Sequence, residues 1–245
     1  MRGVTGRYTV PMITTYVFPP LLVIHIALGA AALVSGLVAM ASRKGATGLH
    51  ERAGKIYFGT MLGMAASAVL LTSWEPDRLS MTAGIWTIYL VLTSWSAARS
   101  KTGMAGPMEQ ASLPLALLAT ALFLDGGIAA FRAPDGNFQG MSHVGFWVFG
   151  GLAALSVMFD LSLFWRRKLQ PRQRVARHLW RMVMAYFLAA TSLFLGQQDD
   201  VFPFMQGSPI LLIPSLATLA FLTYWVVRVR FVRNWIGVQT TQKVT

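Results

Sequence analysis

The chain has 245 residues, of which 55% are hydrophobic and 12% are charged, and its formal net charge is +12. Soluble domains carry about 25% charged residues, so this composition excludes an ordinary soluble domain and predicts an integral membrane protein with several helices. The chain has no cysteine, which excludes disulfides, thiolate metal sites and thiol catalysis.

Seven apolar stretches, each long enough to cross a bilayer core of about 30 Å, follow one another along the chain. Short segments rich in Gly, Pro and charged residues separate them, as is typical of loops. The predicted spans are approximately residues 16–41, 56–74, 81–98, 112–131, 143–165, 178–197 and 209–229. Since no loop is long enough for a second domain, residues 1–245 are predicted to form one all-α transmembrane bundle.

The basic residues are concentrated in the loops after the first, third, fifth and seventh spans, and most acidic residues lie in the alternate loops. Basic loops stay on the cytoplasmic side of a bacterial inner membrane, so the N-terminus is predicted outside and the C-terminus inside. The net charge is then explained without a nucleic-acid partner, and the expected partner is the lipid bilayer. Trp86 is expected at the outer interface, as part of an aromatic belt.

The four histidines fall at two predicted depths. His25 lies inside the first span, where an ionisable group is costly and indicates function, and His143 begins the fifth span on the same side. His50 and His178 lie on the cytoplasmic side. Paired imidazoles from different helices are typical of b-type haem sites. We therefore predict one or two haems, ligated by His25 with His143 and by His50 with His178.

Two further patterns favour haem. Gly29 and Gly54 each follow a histidine by four residues, on the same helix face, which would leave room for a planar macrocycle. Arg52 and Arg181 lie near the inner pair, and arginine binds propionate carboxylates bidentately. The resulting hypothesis is a membrane electron-transfer protein that works with a redox partner or a quinone.

Two aspartates lie in or near predicted spans. Asp125 precedes two glycines that predict a helix break near the outer mouth. It is either a proton or ion site or a helix end exposed to water. Asp160 is close in sequence to Arg166 and Arg167, and an interfacial ion pair with them is the favoured interpretation.

The stretches HIALGAAALVSGLVAM and KGATGLHERAGKIYFGTMLG resemble the bacterial membrane proteins grouped as domain of unknown function 2306, and RHLWRMVMAYFLAATSLFLGQ is similar to a late helix of that family. The matching residues are His25, Gly29, Lys44, Gly45, His50, Gly54, Tyr57, His178, Arg181 and Met182, with one extra residue between His50 and Gly54. The resemblance implies a multi-helix membrane fold. The two histidine depths also resemble di-haem transmembrane cytochromes b, although in this chain two spans separate the ligand-bearing helices.

Two other function classes fit the sequence. One is a transporter or assembly factor without a cofactor, in which the histidines and Asp125 handle protons or a small ligand. The other is an accessory subunit of a larger membrane complex. No P-loop, GxSxG or HExxH motif is present, so nothing in the sequence favours a hydrolase.

Overall fold

The fold is built from long helices. The computed structural model describes residues 18–43, 48–74, 77–100 and 102–231. The long helices in these residues are α1 (Phe18–Ala41), α2 (Leu49–Leu71), α3 (Arg78–Arg99), α4 (Pro107–Arg132), α5 (His143–Arg166), α6 (Pro171–Thr191) and α7 (Ile213–Phe231). All except α3 are long and apolar enough to cross a membrane. The all-α prediction is confirmed, and the six apolar helices are those of a multi-pass membrane protein.

Short elements connect some of the helices. The hairpin of β1 (Asn137–Phe138) and β2 (Met141–Ser142) joins α4 to α5. Between α6 and α7 the chain forms a π-helical turn at Ser192–Gly196, an α-helical turn at Gln198–Val201, and 3₁₀ turns at Pro203–Met205 and Pro209–Leu212.

Two helices begin seven residues before the apolar runs that predicted them, at 49 against 56 and at 171 against 178. α2 begins at Leu49 and α6 at Pro171. Their first turns are polar and basic, so hydrophobicity alone does not mark them. Proline suits the first turn of α6 because the amide hydrogen that it lacks would have no helical acceptor there. His50 and His178 therefore lie within helices.

α4 continues through Gly126 and Gly127, so the predicted helix break at these residues is wrong. A Cβ atom on Gly126 would lie 2.5 Å from the ring of Phe146, and one on Gly127 would collide with the ring of Trp147. The glycines let α4 and α5 approach closely, as small residues do between membrane helices.

α3 is the central helix. It packs against α2, α4 and α6, and its side chains Trp86, Tyr89 and Leu90 are completely buried. Trp86 meets the ring of Phe123 edge-on, so its predicted place at the outer interface is wrong. Because protein covers much of α3, this helix needs fewer apolar residues than a helix that faces lipid.

The remaining long helices, α1, α5 and α7, pack on the helices that contact α3. α1 packs mainly against α2, with a smaller contact on α6, α5 packs mainly against α4, and α7 against α6. Outward-facing side chains such as Val34, Phe131 and Met158 are apolar and exposed, as a lipid environment requires. Met104, after α3, pairs with Lys168, after α5, so Arg99 and Arg166 in the last turns of these helices lie at the same end of the bundle, which we call the basic end.

Candidate functional site

Four polar side chains meet between α3, α5 and α6. We call Asp160, Arg177, Arg181 and Tyr89 the buried charged cluster. Asp160 and Arg181 have no exposed side-chain surface, and 6% of the Arg177 side chain is exposed. Oδ1 of Asp160 lies 2.7 Å from Nη1 of Arg177 and 2.5 Å from Nη2 of Arg181. The Tyr89 hydroxyl donates to Oδ2 of Asp160 at 2.7 Å.

The packing of three helices positions these groups. Arg177 and Arg181 are four residues apart on α6 and so share one face. Asp160 faces them from α5, about two turns from the basic end. Ser156, one turn earlier on α5, accepts a 3.4 Å hydrogen bond from Nε1 of Trp86. These contacts fix α5 against α3 at the level of the cluster.

The cluster carries more positive than negative charge, since one carboxylate faces two guanidinium groups. Among the described residues, nothing accepts a hydrogen bond from Nε and Nη2 of Arg177 or from Nε and Nη1 of Arg181, although these atoms are buried. Buried polar groups are usually paired, and each buried ion costs several kcal/mol. Arg181 also lies over the rings of Tyr89 and Trp180, which attract the cation. The cluster therefore has hydrogen-bond donors that it does not use.

These contacts correct the prediction for Asp160. Its ionic partners are Arg177 and Arg181 on α6, and not Arg166 and Arg167 at the end of its own helix. α5 ends at Arg166, and only the antiparallel return of α6 brings guanidinium groups to the level of Asp160. Arg181, which the sequence assigned to a haem propionate, has this carboxylate of the protein as its partner.

His25 connects α1 to α2. Its Nδ1 lies 3.0 Å from the carbonyl oxygen of Met64 and 3.0 Å from the hydroxyl of Ser67. A Cβ atom on Gly29 would lie 3.4 Å from the sulfur of Met64. The end of the Met64 side chain therefore lies beside Gly29, and room for a macrocycle at that residue stays a prediction.

His143 lies at the start of α5, within the hairpin that α5 forms with α4. Its Nδ1 is 3.4 Å from the carbonyl oxygen of Gly136, and its ring contacts Phe131 and Trp147. The contacts of His25 are on α2, so the structure places the two members of the predicted outer pair in separate helix hairpins.

The predicted inner pair is likewise held by different helices. Nδ1 of His50 lies 2.9 Å from the carbonyl oxygen of Ala39 on α1. Nδ1 of His178 lies 3.2 Å from the carbonyl oxygen and 3.0 Å from the hydroxyl of Ser94 on α3. Arg52 is exposed in the first turn of α2, and no atom lies near the position of a Cβ on Gly54.

The histidines share one feature that a metal site would use. In each of them Nδ1 faces a backbone carbonyl, which orients Nε2 as the metal-facing nitrogen in many metalloproteins. In the described part of the chain, however, no three His, Asp or Glu residues converge as a metal-binding group. A bis-histidine pair has only two protein ligands, so the two predicted pairs stay predictions. Haem binding itself stays a prediction.

Asp125 lies at the surface. Its carboxylate is 2.5 Å from Nη1 of Arg78, and both side chains are at least half exposed. The side-chain oxygen of Gln139 accepts from the backbone amide of Arg78 at 2.9 Å. These contacts connect α3, α4 and the β-hairpin at the end of the bundle opposite the basic end, so Asp125 is outside the buried core.

The sequence analysis missed the buried charged cluster as a unit. A signal for part of it was present, because Asp160 and Arg181 are ionisable residues within predicted spans, and such residues indicate function by default. No sequence signal distinguished Tyr89, since a tyrosine within an apolar helix is ordinary. No family model, curated protein or solved structure matches the chain, so the resemblance to the family of unknown function also stays a prediction.

Proposed function

We propose that the chain is a transporter without a resident cofactor and that the buried charged cluster is its working site. The observation that supports this proposal most directly is the contact of the completely buried Asp160 with two guanidinium groups. Replacing buried ion pairs by apolar residues is often neutral or stabilising, so stability alone is a poor reason to keep such a cluster. Ionisable groups in a membrane bundle are instead typical of substrate, ion and proton pathways.

The proposal includes seven spans in a bacterial cytoplasmic membrane, with the N-terminus outside and the C-terminus inside. α3 supports the seventh span by its length, since 22 residues at about 1.5 Å each extend over about 33 Å. Its burial among α2, α4 and α6 explains its lower hydropathy. The arginines at the basic end support a cytoplasmic location for that end.

The geometry of the cluster suits a site that changes state. Asp160 holds Arg177, Arg181 and Tyr89 at once, so protonation of this carboxylate or its displacement by a ligand would release three donors together. A transporter needs such an element, whose arrangement depends on what is bound.

Charge movement in proteoliposomes on a solid-supported membrane tests the proposal. Addition of a transported small solute should give a transient current with the wild-type protein. Asp160→Asn should abolish the current, whereas Asp125→Asn should retain it, because Asp125 pairs with Arg78 at the surface. Equal currents from both variants with the same solute would overturn the assignment of the working site.

Haem-dependent electron transfer with a redox partner or quinone is the competing proposal. It is favoured by the orientation of the four imidazoles, each with Nδ1 facing a backbone carbonyl. The absorption spectrum of the purified protein separates the two proposals, since a Soret band that shifts on reduction is expected only with haem. If a band is present, His25→Ala and His143→Ala should remove the same part of it.

A further inference from the structure

We infer that one edge of the Arg177 guanidinium, formed by Nε and Nη2, binds the oxyanion group of a ligand, either a carboxylate or a phosphate. The inference rests on the proposed function, because it names the ligand class of the same buried charged cluster. It depends on three observations: the free edge, the excess of positive charge, and the column of arginines that leads to it.

The first observation concerns the donors of Arg177. Nη1 of this residue is used by Asp160, at 2.7 Å. Nε and Nη2 lie together on the other edge of the planar group, are buried, and have no acceptor among the described residues. An edge of this kind presents two parallel N–H bonds, which match the two oxygens of a carboxylate or of a phosphate.

The second observation concerns charge. Asp160 neutralises only one of its two guanidinium partners, and Tyr89 contributes a hydroxyl that donates to Asp160. Arg181 uses Nη2 for Asp160 and Tyr89, while its Nε and Nη1 have no acceptor in the described residues. A bound anion would neutralise the remaining positive charge, whereas a cation would increase it. The cluster therefore favours an anionic ligand.

The third observation concerns the approach to the site. Arg174 lies one turn before Arg177 on α6, closer to the basic end, and Arg181 lies one turn beyond it. The three side chains form a column of positive charge that runs from the basic end into the core. Positive charge of this kind raises the local concentration of anions and directs them inward.

Asp160 competes with the ligand for the two arginines. Its carboxylate has the same chemistry as the proposed ligand and is already bound to both guanidinium groups. Asp160→Asn removes this competing charge, so we expect the variant to bind oxyanions more tightly than the wild-type protein. If the ion pair were merely structural, this substitution should not increase the affinity for oxyanions.

Thermal unfolding of the full chain in a non-ionic detergent, followed by tryptophan fluorescence, tests the inference. Sodium succinate and sodium phosphate are titrated against sodium chloride at matched ionic strength, and mixed micelles with phosphatidylglycerol form a third arm. Specific binding should raise the unfolding temperature in a saturable manner. Stabilisation by succinate or phosphate identifies a free solute, and stabilisation by phosphatidylglycerol alone identifies a lipid headgroup.

The matched variants are Arg177→Lys, which keeps the charge and loses the two-donor edge, and Arg78→Lys, which changes an exposed arginine. We expect Arg177→Lys to raise the apparent dissociation constant about tenfold or more and Arg78→Lys to leave it unchanged. Equal affinities in the two variants would refute the site. If Arg177→Lys does not fold, the wild-type protein alone still tests the site. The site is refuted if the oxyanions and the anionic lipid raise its unfolding temperature no more than chloride does.

The outcome separates this inference from the proposed function. Oxyanion binding that depends on Arg177, without any solute-induced current, supports the site and contradicts the transporter. Currents that depend on Asp160 without oxyanion binding contradict the site and support the transporter.

Discussion

The hydroxyl of Tyr57 on α2 donates a 2.9 Å hydrogen bond to the backbone carbonyl of Met182 on α6. Met182 directly follows Arg181, so this contact joins α2 to α6 at the level of the buried charged cluster. Tyr57 is buried, and α2 packs against α3. A helix that contributes no residue to the cluster therefore also helps to position α6 within it.

Removing this hydrogen bond should lower stability. We expect Tyr57→Phe to reduce the free energy of unfolding by about 1 kcal/mol, the usual value for one intramolecular hydrogen bond. The unfolding midpoint in detergent measures it. Tyr224→Phe is the control, because the hydrogen bond that the Tyr224 hydroxyl accepts from Arg228 is exposed; an equal loss in that variant would contradict the importance of the Tyr57 contact.

The space at Gly36 on α1 should tolerate no added methyl group. A Cβ atom there would lie 2.7 Å from the ring of Tyr186 and 2.8 Å from that of Tyr57. We expect Gly36→Ala to destabilise the protein by about 1–3 kcal/mol through overpacking. Gly59→Ala is the matched control: nothing lies within 4 Å of its Cβ position, and alanine is the better helix former, so this variant should be neutral or stabilised.

The two aspartates in ion pairs should differ sharply in their effect on stability. Asp160→Asn leaves two buried guanidinium groups without their carboxylate, for which we expect a loss of about 3–5 kcal/mol. Asp125→Asn breaks an exposed pair with Arg78 and should cost less than about 1 kcal/mol. Chemical or thermal unfolding in the same detergent gives both values. Similar losses would show that Asp160 is more solvated than the structure indicates.

Reporter fusions test the topology and the span formed by α3. Fusions after Asp77 and Asp135 should report an external location, and fusions after Arg99 and Arg167 a cytoplasmic one, as the positive-inside rule predicts. Asp77 and Arg99 flank α3, so reporters at these two sites on the same side of the membrane would exclude α3 as a span.

The sequence determined the class of the protein because lipid imposes a strict requirement on composition. A helix that faces hydrocarbon must be apolar over about 20 residues, and this pattern is visible without any knowledge of tertiary contacts. It predicted the six apolar helices correctly. It marked helix starts less well, as at Leu49 and Pro171, because the polar first turns lie outside the apolar runs.

Only the tertiary structure decided which polar groups meet. Asp160 and Arg181 are 21 positions apart, and Tyr89 and Arg181 are 92 apart. Their contacts require α5 and α6 to come within side-chain reach of each other and of α3, and no local pattern encodes that arrangement. The pairing of Asp160 with Arg166 and Arg167 failed because it considered distance along the chain only. Trp86 and Gly126 were misassigned for the same reason: whether an aromatic ring lies at an interface or a glycine ends a helix depends on the helix that packs against it.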